Sequence, residues 1–340
     1  MTNTEHIKAG IAIANRNWQL VIIQIGAILL NIAGVVAFIV VPVIVLGVAL
    51  GIEAERAGDI SRWLDGYSLT AALGQYLGAI LIVLLCLLVF ITFALIVWLF
   101  VAGGTVGTLA GQARDKDAKF SMEGFWQEGK RLFFPLGWFY TIVSVFLMAI
   151  IIVLGGAFVL GVLGYNAAGF EGSRLGIFFS VMGSLLLGAC GLFFSFCLYA
   201  VTIQGLAPLS LEGRKAMDSI KAGWNFLEED TSNLHLLLVL VGAYIVVQIV
   251  LAATGGIIQL IPFLGLFIYL PYSIAANIFS IYLNLVLVAA VLSHYAQKKG
   301  LVKQNLSEPG SSLLKDTSPP LEKWQVPPQF DPEKNFPDQD

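Results

Sequence analysis

Residues 209–230 read LSLEGRKAMDSIKAGWNFLEED, and this stretch decides how the chain is built. Placed on a helix, Met217, Ile220, Trp224 and Leu227 recur at i, i+3, i+7 and i+10 and share one apolar stripe. Lys215, Asp218, Lys221, Asn225 and Glu228 occupy the other side. A helix with so clear a polar face, directly ahead of the apolar run 234–253, is expected to lie in the membrane interface rather than to cross it. The same device is expected twice more. Residues 120–131, FSMEGFWQEGKR, put Met122, Phe125, Gly129 and Leu132 in that register ahead of another apolar run. Near the N-terminus Ile7, Ile11, Ala14 and Trp18 do so a third time. An acid opens each unit, Glu5, Glu123 and Asp218, where negative charge is favourable against the exposed N–H groups of a first helical turn. Ser121 and Ser210 are the expected N-caps.

The rest of the chain fits a membrane setting. Apolar residues make up 58% of the 340 and charged ones only 12%, with a mean hydropathy of +0.84, which excludes an ordinary soluble domain and points to a polytopic membrane protein. Residues 1–17 lack the basic start, short apolar core and small-residue cleavage site of a signal peptide, so the first span itself is expected to direct insertion. Cys86, Cys190 and Cys197 all fall inside apolar runs and read as small hydrophobes.

Six spans are expected. Residues 18–50 exceed what a roughly 30 Å hydrocarbon core demands, and Pro42 is expected to kink this run or to end the span near Val40. A polar, mixed-charge segment (51–74) leads to the second span (73–102). Gly103, Gly107 and Gly111 follow at i, i+4 and i+8, a spacing that lets another helix approach closely. A phosphate-binding loop would need a preceding strand and a closing Lys–Ser/Thr pair, both missing. The third span is 133–164 and the fourth 175–207, joined by a short polar loop (165–174). The fifth is 234–253. Residues 255–270 are too short to cross and contain Pro262, so they read either as a re-entrant segment or as an apolar loop among helices. Pro271 opens the sixth span, which ends near Tyr295.

Lys and Arg set the orientation. Lys8, Arg16, Arg114, Lys116, Lys119, Lys130, Arg131, Arg214, Lys215, Lys221, Lys298, Lys299 and Lys303 fall on one side, against Arg56, Arg62 and Arg174 on the other. Both termini are therefore expected to be cytoplasmic. Trp18, Trp98, Trp126, Trp138, Trp224, Tyr199 and Tyr295 lie near that boundary, as an aromatic belt requires. From residue 298 to 340 the composition turns to Pro, Ser, Lys, Asp and Glu, and a disordered tail is expected that reads as a solubilising end, with Trp324 and Phe330 as the alternative, anchors for a partner.

No ionisable residue falls in the middle of a span, where one would flag a proton relay or charged-substrate site. The chain has no His-Glu-x-x-His, no Gly-x-Ser-x-Gly and no cluster of His with carboxylates. His6 and His235 stand alone in the sequence and His294 reads as a boundary residue beside Tyr295. No catalytic residue, metal or cofactor is expected. The candidates left are neutral polar residues: Asn277, Ser280 and Asn284 at i, i+3 and i+7, with Gln204, Gln248 and Asn31 from other spans. They read either as a polar pocket for a neutral substrate or as interhelical hydrogen bonds worth about 0.6 kcal/mol each.

The Gly-rich AGGTVGTLAGQA (102–113), the amphipathic SMEGFWQEGKR and the later APLSLEGRKAMDSIKAGW ahead of another span resemble a group of bacterial six-span proteins. That group includes the membrane domain attached to some glycerophosphoryl diester phosphodiesterases and the uncharacterised YciC-like families. The resemblance spans about residues 5–299 and implies a membrane module without catalysis of its own in a bacterial plasma membrane; it transfers no site residues. The expected fold is all-α: six transmembrane helices in three repeats (about 4–102, 120–207 and 210–297), each an interfacial amphipathic helix plus a helical hairpin. Two functions follow as expectations. One is a non-enzymatic module that supports an unidentified protein partner or organises lipid at the cytoplasmic face, with Lys8, Arg16, Lys130, Arg131, Lys215 and Lys221 meeting anionic headgroups. The other is a transporter or channel for a neutral or amphiphilic solute. Nucleic acid is not an expected partner.

Overall fold

The computed structural model describes residues 3–49, 69–115, 118–167, 174–261 and 264–302. The mixed-charge segment with Glu53, Arg56 and Arg62 falls largely outside them, and so does the tail beyond Val302 with Trp324 and Phe330. Among the described residues all regular structure is helical, and six helices are long and apolar enough to cross a membrane. This is a membrane protein.

Helix α1 (Asn3–Arg16) is followed by α2 (Gln19–Val35), one π turn (Val36–Val40) and α3 (Val41–Ala49). Pro42 therefore does not end the first span. It lacks an N–H and its ring crowds the carbonyl four residues back, and the wider turn just before it relieves that crowding while the helix runs on.

Helices α4 (Leu69–Arg114) and α5 (Met122–Ala167) have 46 residues each, about 69 Å at 1.5 Å per residue. That is more than twice the roughly 30 Å of hydrocarbon, so both project well beyond it. The second amphipathic segment is consequently no separate helix. It forms the first turns of α5, capped at Ser121, whose Oγ accepts the Gly124 N–H at 3.1 Å, and the helix continues through Pro135.

Helix α6 (Arg174–Leu211) likewise runs past the expected end of the fourth span and through Pro208. Ser210 lies in its last turn and donates to the Leu206 carbonyl at 2.7 Å, so it caps nothing. Gly213, at φ 69°, turns the chain into α7 (Ala216–Glu229). Asp230 caps the next helix, α8 (Thr231–Gln259), by accepting the Ser232 N–H at 2.9 Å. Helix α9 (Leu264–Lys298) contains Pro271 in its interior. Residues 255–270 are therefore neither re-entrant nor an apolar loop. They are the helical ends of α8 and α9 on either side of a short connection.

Three close backbone approaches tie the amphipathic segments to the spans. A Cβ on Gly10 of α1 would lie 2.7 Å from the Ala290 Cβ of α9, one on Gly129 of α5 would lie 3.2 Å from the Phe100 carbonyl of α4, and one on Gly223 of α7 would lie 2.7 Å from the Gly205 nitrogen of α6. Gly103 and Gly107 also face α5, at Gly129 and Glu128, whereas Gly111 meets nothing within 4 Å. The expected glycine packing thus holds for the first two of the three. The face that α7 buries is Ala216, Ser219, Gly223 and Phe226. It is not the stripe drawn through Met217 and Trp224, both of which are exposed.

The core follows from these contacts. Leu109, Ala207, Leu211, Leu285, Ala289 and Leu292 bring the ends of α4, α6 and α9 together with Ala14 and Leu20. Toward the other end the helices turn large apolar side chains outward, among them Leu88, Leu186 and Ile249. Such residues need no protein partner where the surroundings are lipid.

Candidate functional site

Where α2, α4, α5, α6 and α9 converge they leave a cavity of about 440 Å³. Its polar lining is Gln24 and Asn31 from α2, Thr105 from α4, Tyr140 from α5, Tyr199 and Thr202 from α6, and Asn284 from α9. No Asp, Glu, Lys, Arg or His lines it. Val106, Leu206 and Val288 close the end nearest the core, each packed in the same apolar cluster.

Much of the hydrogen-bonding capacity here is unspent. The Asn31 Oδ1 is buried without a partner. The Gln24 amide reaches the Thr105 Oγ1 only at 3.5 Å, the limit of a useful bond, while Thr202 bonds the Leu198 carbonyl of its own helix at 2.7 Å. Trp98 and Tyr140 pack together on one wall, ring centroids 4.8 Å apart and planes tilted by 58°.

The candidates expected from sequence divide between several places. Asn31 and Asn284 line the cavity. Ser280 lies lower on α9's outer stretch and pairs with Gln248 of α8, the amide donating to the Ser280 Oγ at 3.0 Å. Asn277 donates to the Ser273 carbonyl of its own helix at 2.7 Å. Asn277, Ser280 and Gln248 instead line a second cleft between α8 and α9, of about 380 Å³. Gln204 is fully buried with neither amide atom hydrogen-bonded, and it is not part of the cavity lining. The three residues of the α9 stripe therefore do not share one space: Asn277 and Ser280 face the cleft beside α8, and Asn284 the cavity. Gln24, Thr105, Tyr140, Tyr199 and Thr202 were missed, although Gln24 and Asn31 stand at i and i+7 and could have been paired from sequence.

On the amphipathic segments, Lys8, Lys130, Lys215 and Lys221 are exposed and have no partner among the described residues. Arg16 donates to the Ala118 carbonyl at 2.8 Å. Arg131 pairs with Glu128 at 2.6 Å and reaches the Ser210 carbonyl. Lys298 and Lys299 pair with Asp230 and Glu229. The Lys298 ammonium and the Ser232 N–H hold the Asp230 carboxyl below its ordinary pKa. Trp18, Trp98, Trp126, Trp138 and Trp224 are exposed as an aromatic belt requires, but Tyr295 is buried, donating to the Glu212 Oε1 at 2.5 Å.

His6 does not stand alone. Its ring meets that of His294 edge-on, centroids 4.4 Å apart, and His294 Nε2 lies 2.9 Å from the Asn233 Oδ1. Burial, with the N-terminal amine, keeps the His6 pKa below the ordinary value. Among the described residues no group of three or more His, Cys, Asp or Glu is arranged to hold a metal ion.

A family model described as a domain of unknown function, DUF7847, matches residues 92–306. The chain belongs to the DUF7847 family. The matched region begins within α4 and takes in α5 to α9, so it carries every wall of the cavity except that from α2. No curated protein matches the chain. No solved structure matches it either.

Proposed function

We propose that this DUF7847 protein is a non-enzymatic membrane protein that binds a neutral or amphiphilic molecule in the cavity, as a transporter of such a solute. The observation that carries this reading is an uncharged polar lining that includes the unpartnered Asn31 oxygen, set among apolar helices. Cavities with a few convergent polar groups are the usual form of a small-molecule site. The apolar core seals the cavity toward the amphipathic end, while the outward-turned side chains of the far half leave the other end less closely packed. By the distribution of Lys and Arg the sealed end is cytoplasmic, in a bacterial plasma membrane. Three glycine seats, each joining an amphipathic segment to the end of an even-numbered span, support a threefold internal repeat. In that arrangement α1, with no span before it, takes its seat on the last one.

Native mass spectrometry of protein extracted from its own membrane tests the reading. The wild type is expected to carry a small molecule in stoichiometric amount, and Asn31→Leu/Asn284→Leu to lose it. An empty wild type, or a double variant that keeps the molecule, would overturn it.

A second reading has its own observation. Lys8, Lys130, Lys215 and Lys221 stand unpaired on the same segments that expose Ile11, Met122, Trp126, Met217 and Trp224, a combination suited to anionic headgroups or to a partner at the membrane surface. Replacing the four lysines by Gln should then reduce co-purified anionic lipid or partner. Unchanged recovery of both would exclude it.

A further inference from the structure

The cavity has a neighbour that bears on what it holds. A groove of about 720 Å³ runs between α4 and α5, and Trp98 and Tyr140 line both it and the cavity. This aromatic pair is thus the common wall of a polar space and an apolar one. Along α5 the groove extends from Gly137 past Val145 and Met148 to Ile152, about 22 Å at 1.5 Å per residue. One leaflet of hydrocarbon is about 15 Å deep, half of the roughly 30 Å core. The groove is therefore long enough for a chain that spans its leaflet.

The direction of the two spaces is that of a lipid. On α4 the cavity takes Trp98, Ala102, Thr105 and Val106, on the side of the amphipathic segments, and the groove takes Leu95, Trp98 and Leu99. On α5 the groove continues from Tyr140 away from those segments, toward the middle of the bilayer. A head placed among Asn31, Thr105 and Asn284 would sit near the level of the exposed Trp98 and Trp138, where the expected aromatic belt would put the interface. Its chain would then run inward beside Val145 and Met148. A charged head would be desolvated against a lining that offers no counter-charge, which is costly. Hydroxyl or amide groups would instead meet the free Asn31 oxygen and the Asn284 amide.

We propose that the occupant is a neutral-headed, single-chain lipid of the leaflet on the amphipathic side, its head in the cavity and its chain in the α4–α5 groove. This rests on the cavity being a binding site, and it names the class of molecule bound there.

The test uses the full chain in detergent, native mass spectrometry and three probes: mono-oleoylglycerol, mono-octanoylglycerol with the same head and a shorter chain, and oleoyl-lysophosphatidic acid with a charged head. One mono-oleoylglycerol per protein is expected. Binding should weaken at least about tenfold, some 1.4 kcal/mol, for the octanoyl and phosphate-headed probes. It should weaken similarly for Ala149→Trp, which fills the groove, and for Asn284→Leu. If Asn284→Leu weakens binding while chain length and Ala149→Trp do not, the cavity binds a solute and the lipid assignment fails alone. If neither variant matters, or the wild type binds no probe, the lipid assignment fails, and the native extract then decides the cavity reading separately. Equal binding of the phosphate-headed probe would refute the neutral head. Should Ala149→Trp not fold, the chain-length comparison on the wild type decides.

Discussion

Gly223→Ala is the substitution whose effect is best fixed by geometry. The new methyl would stand 2.7 Å from the Gly205 nitrogen, 3.0 Å from its Cα and 3.2 Å from the Gln204 carbonyl carbon. All three are backbone atoms, so no side-chain rotation makes room. Helix α7 must withdraw by about 0.7 Å to reach an ordinary contact near 3.4 Å. Ala216, Ser219 and Phe226 are buried on the same face and must withdraw with it. Overpacking of this kind costs about 1–3 kcal/mol, against about 0.5–1 kcal/mol gained by replacing Gly with Ala inside a helix. The expected net change runs from about zero to a loss of about 2.5 kcal/mol. Gly111→Ala supplies the opposite sign, because that helical glycine has nothing within 4 Å and only the gain of about 0.5–1 kcal/mol applies. Denaturant unfolding in mixed micelles, followed by circular dichroism, measures both. If Gly223→Ala is as stable as Gly111→Ala, the backbone contact between α6 and α7 does not exist as described.

The buried amides of Asn17 and Gln112 bond each other reciprocally, at 2.5 and 2.6 Å. Asn17→Leu should cost about 1–3 kcal/mol by stranding the Gln112 amide, and adding Gln112→Leu should recover part of it; strictly additive losses in a double-mutant cycle would contradict the pairing. His6 has a folded-state pKa below its unfolded one, so the stability it contributes is complete above about pH 6.5 and is lost as the pH falls through the folded value. His294 faces it, and the N-terminal amine also disfavours its charge. His6→Phe should therefore flatten the acid side of a thermal stability profile beginning near that pH, and an unaltered profile would show that the ring is not held neutral. Asp230 acts in a lower window: its depressed pKa means that its contribution is present above about pH 4 and fades as the pH drops further. Asp230→Asn should remove that decline while also weakening the Lys298 pair, which thermal scans at graded salt would reveal.

The spans and the basic face were legible from local sequence. A segment in lipid must satisfy its own backbone and present continuous apolar surface, so each of the six helices carries its evidence within itself. The Ser121 cap, the acids of the first turns and the glycine approach at Gly103 and Gly107 were readable for the same reason. Segmentation was less so. Pro42, Pro135, Pro208 and Pro271 all lie inside continuous helical runs, because a long helix packed or embedded in lipid absorbs a missing hydrogen bond that would end a short one in water.

What only the tertiary structure decided is which side of each helix faces in. In a soluble protein the apolar stripe points to the core because water lies opposite. On α7 the apolar Met217 and Trp224 stay exposed, and beside lipid, which is as apolar as leucine, such residues would gain nothing by turning inward. The inner face goes to residues small enough for close approach, Gly10, Gly129 and Gly223. The meeting of His6 with His294, from opposite ends of the chain, left no trace in either local pattern. The same holds for the cavity, whose polar groups come from five helices and are ordinary one by one. Sequence determined that this chain is a bundle of long apolar helices; the packing of those helices determined where it keeps its uncharged polar groups.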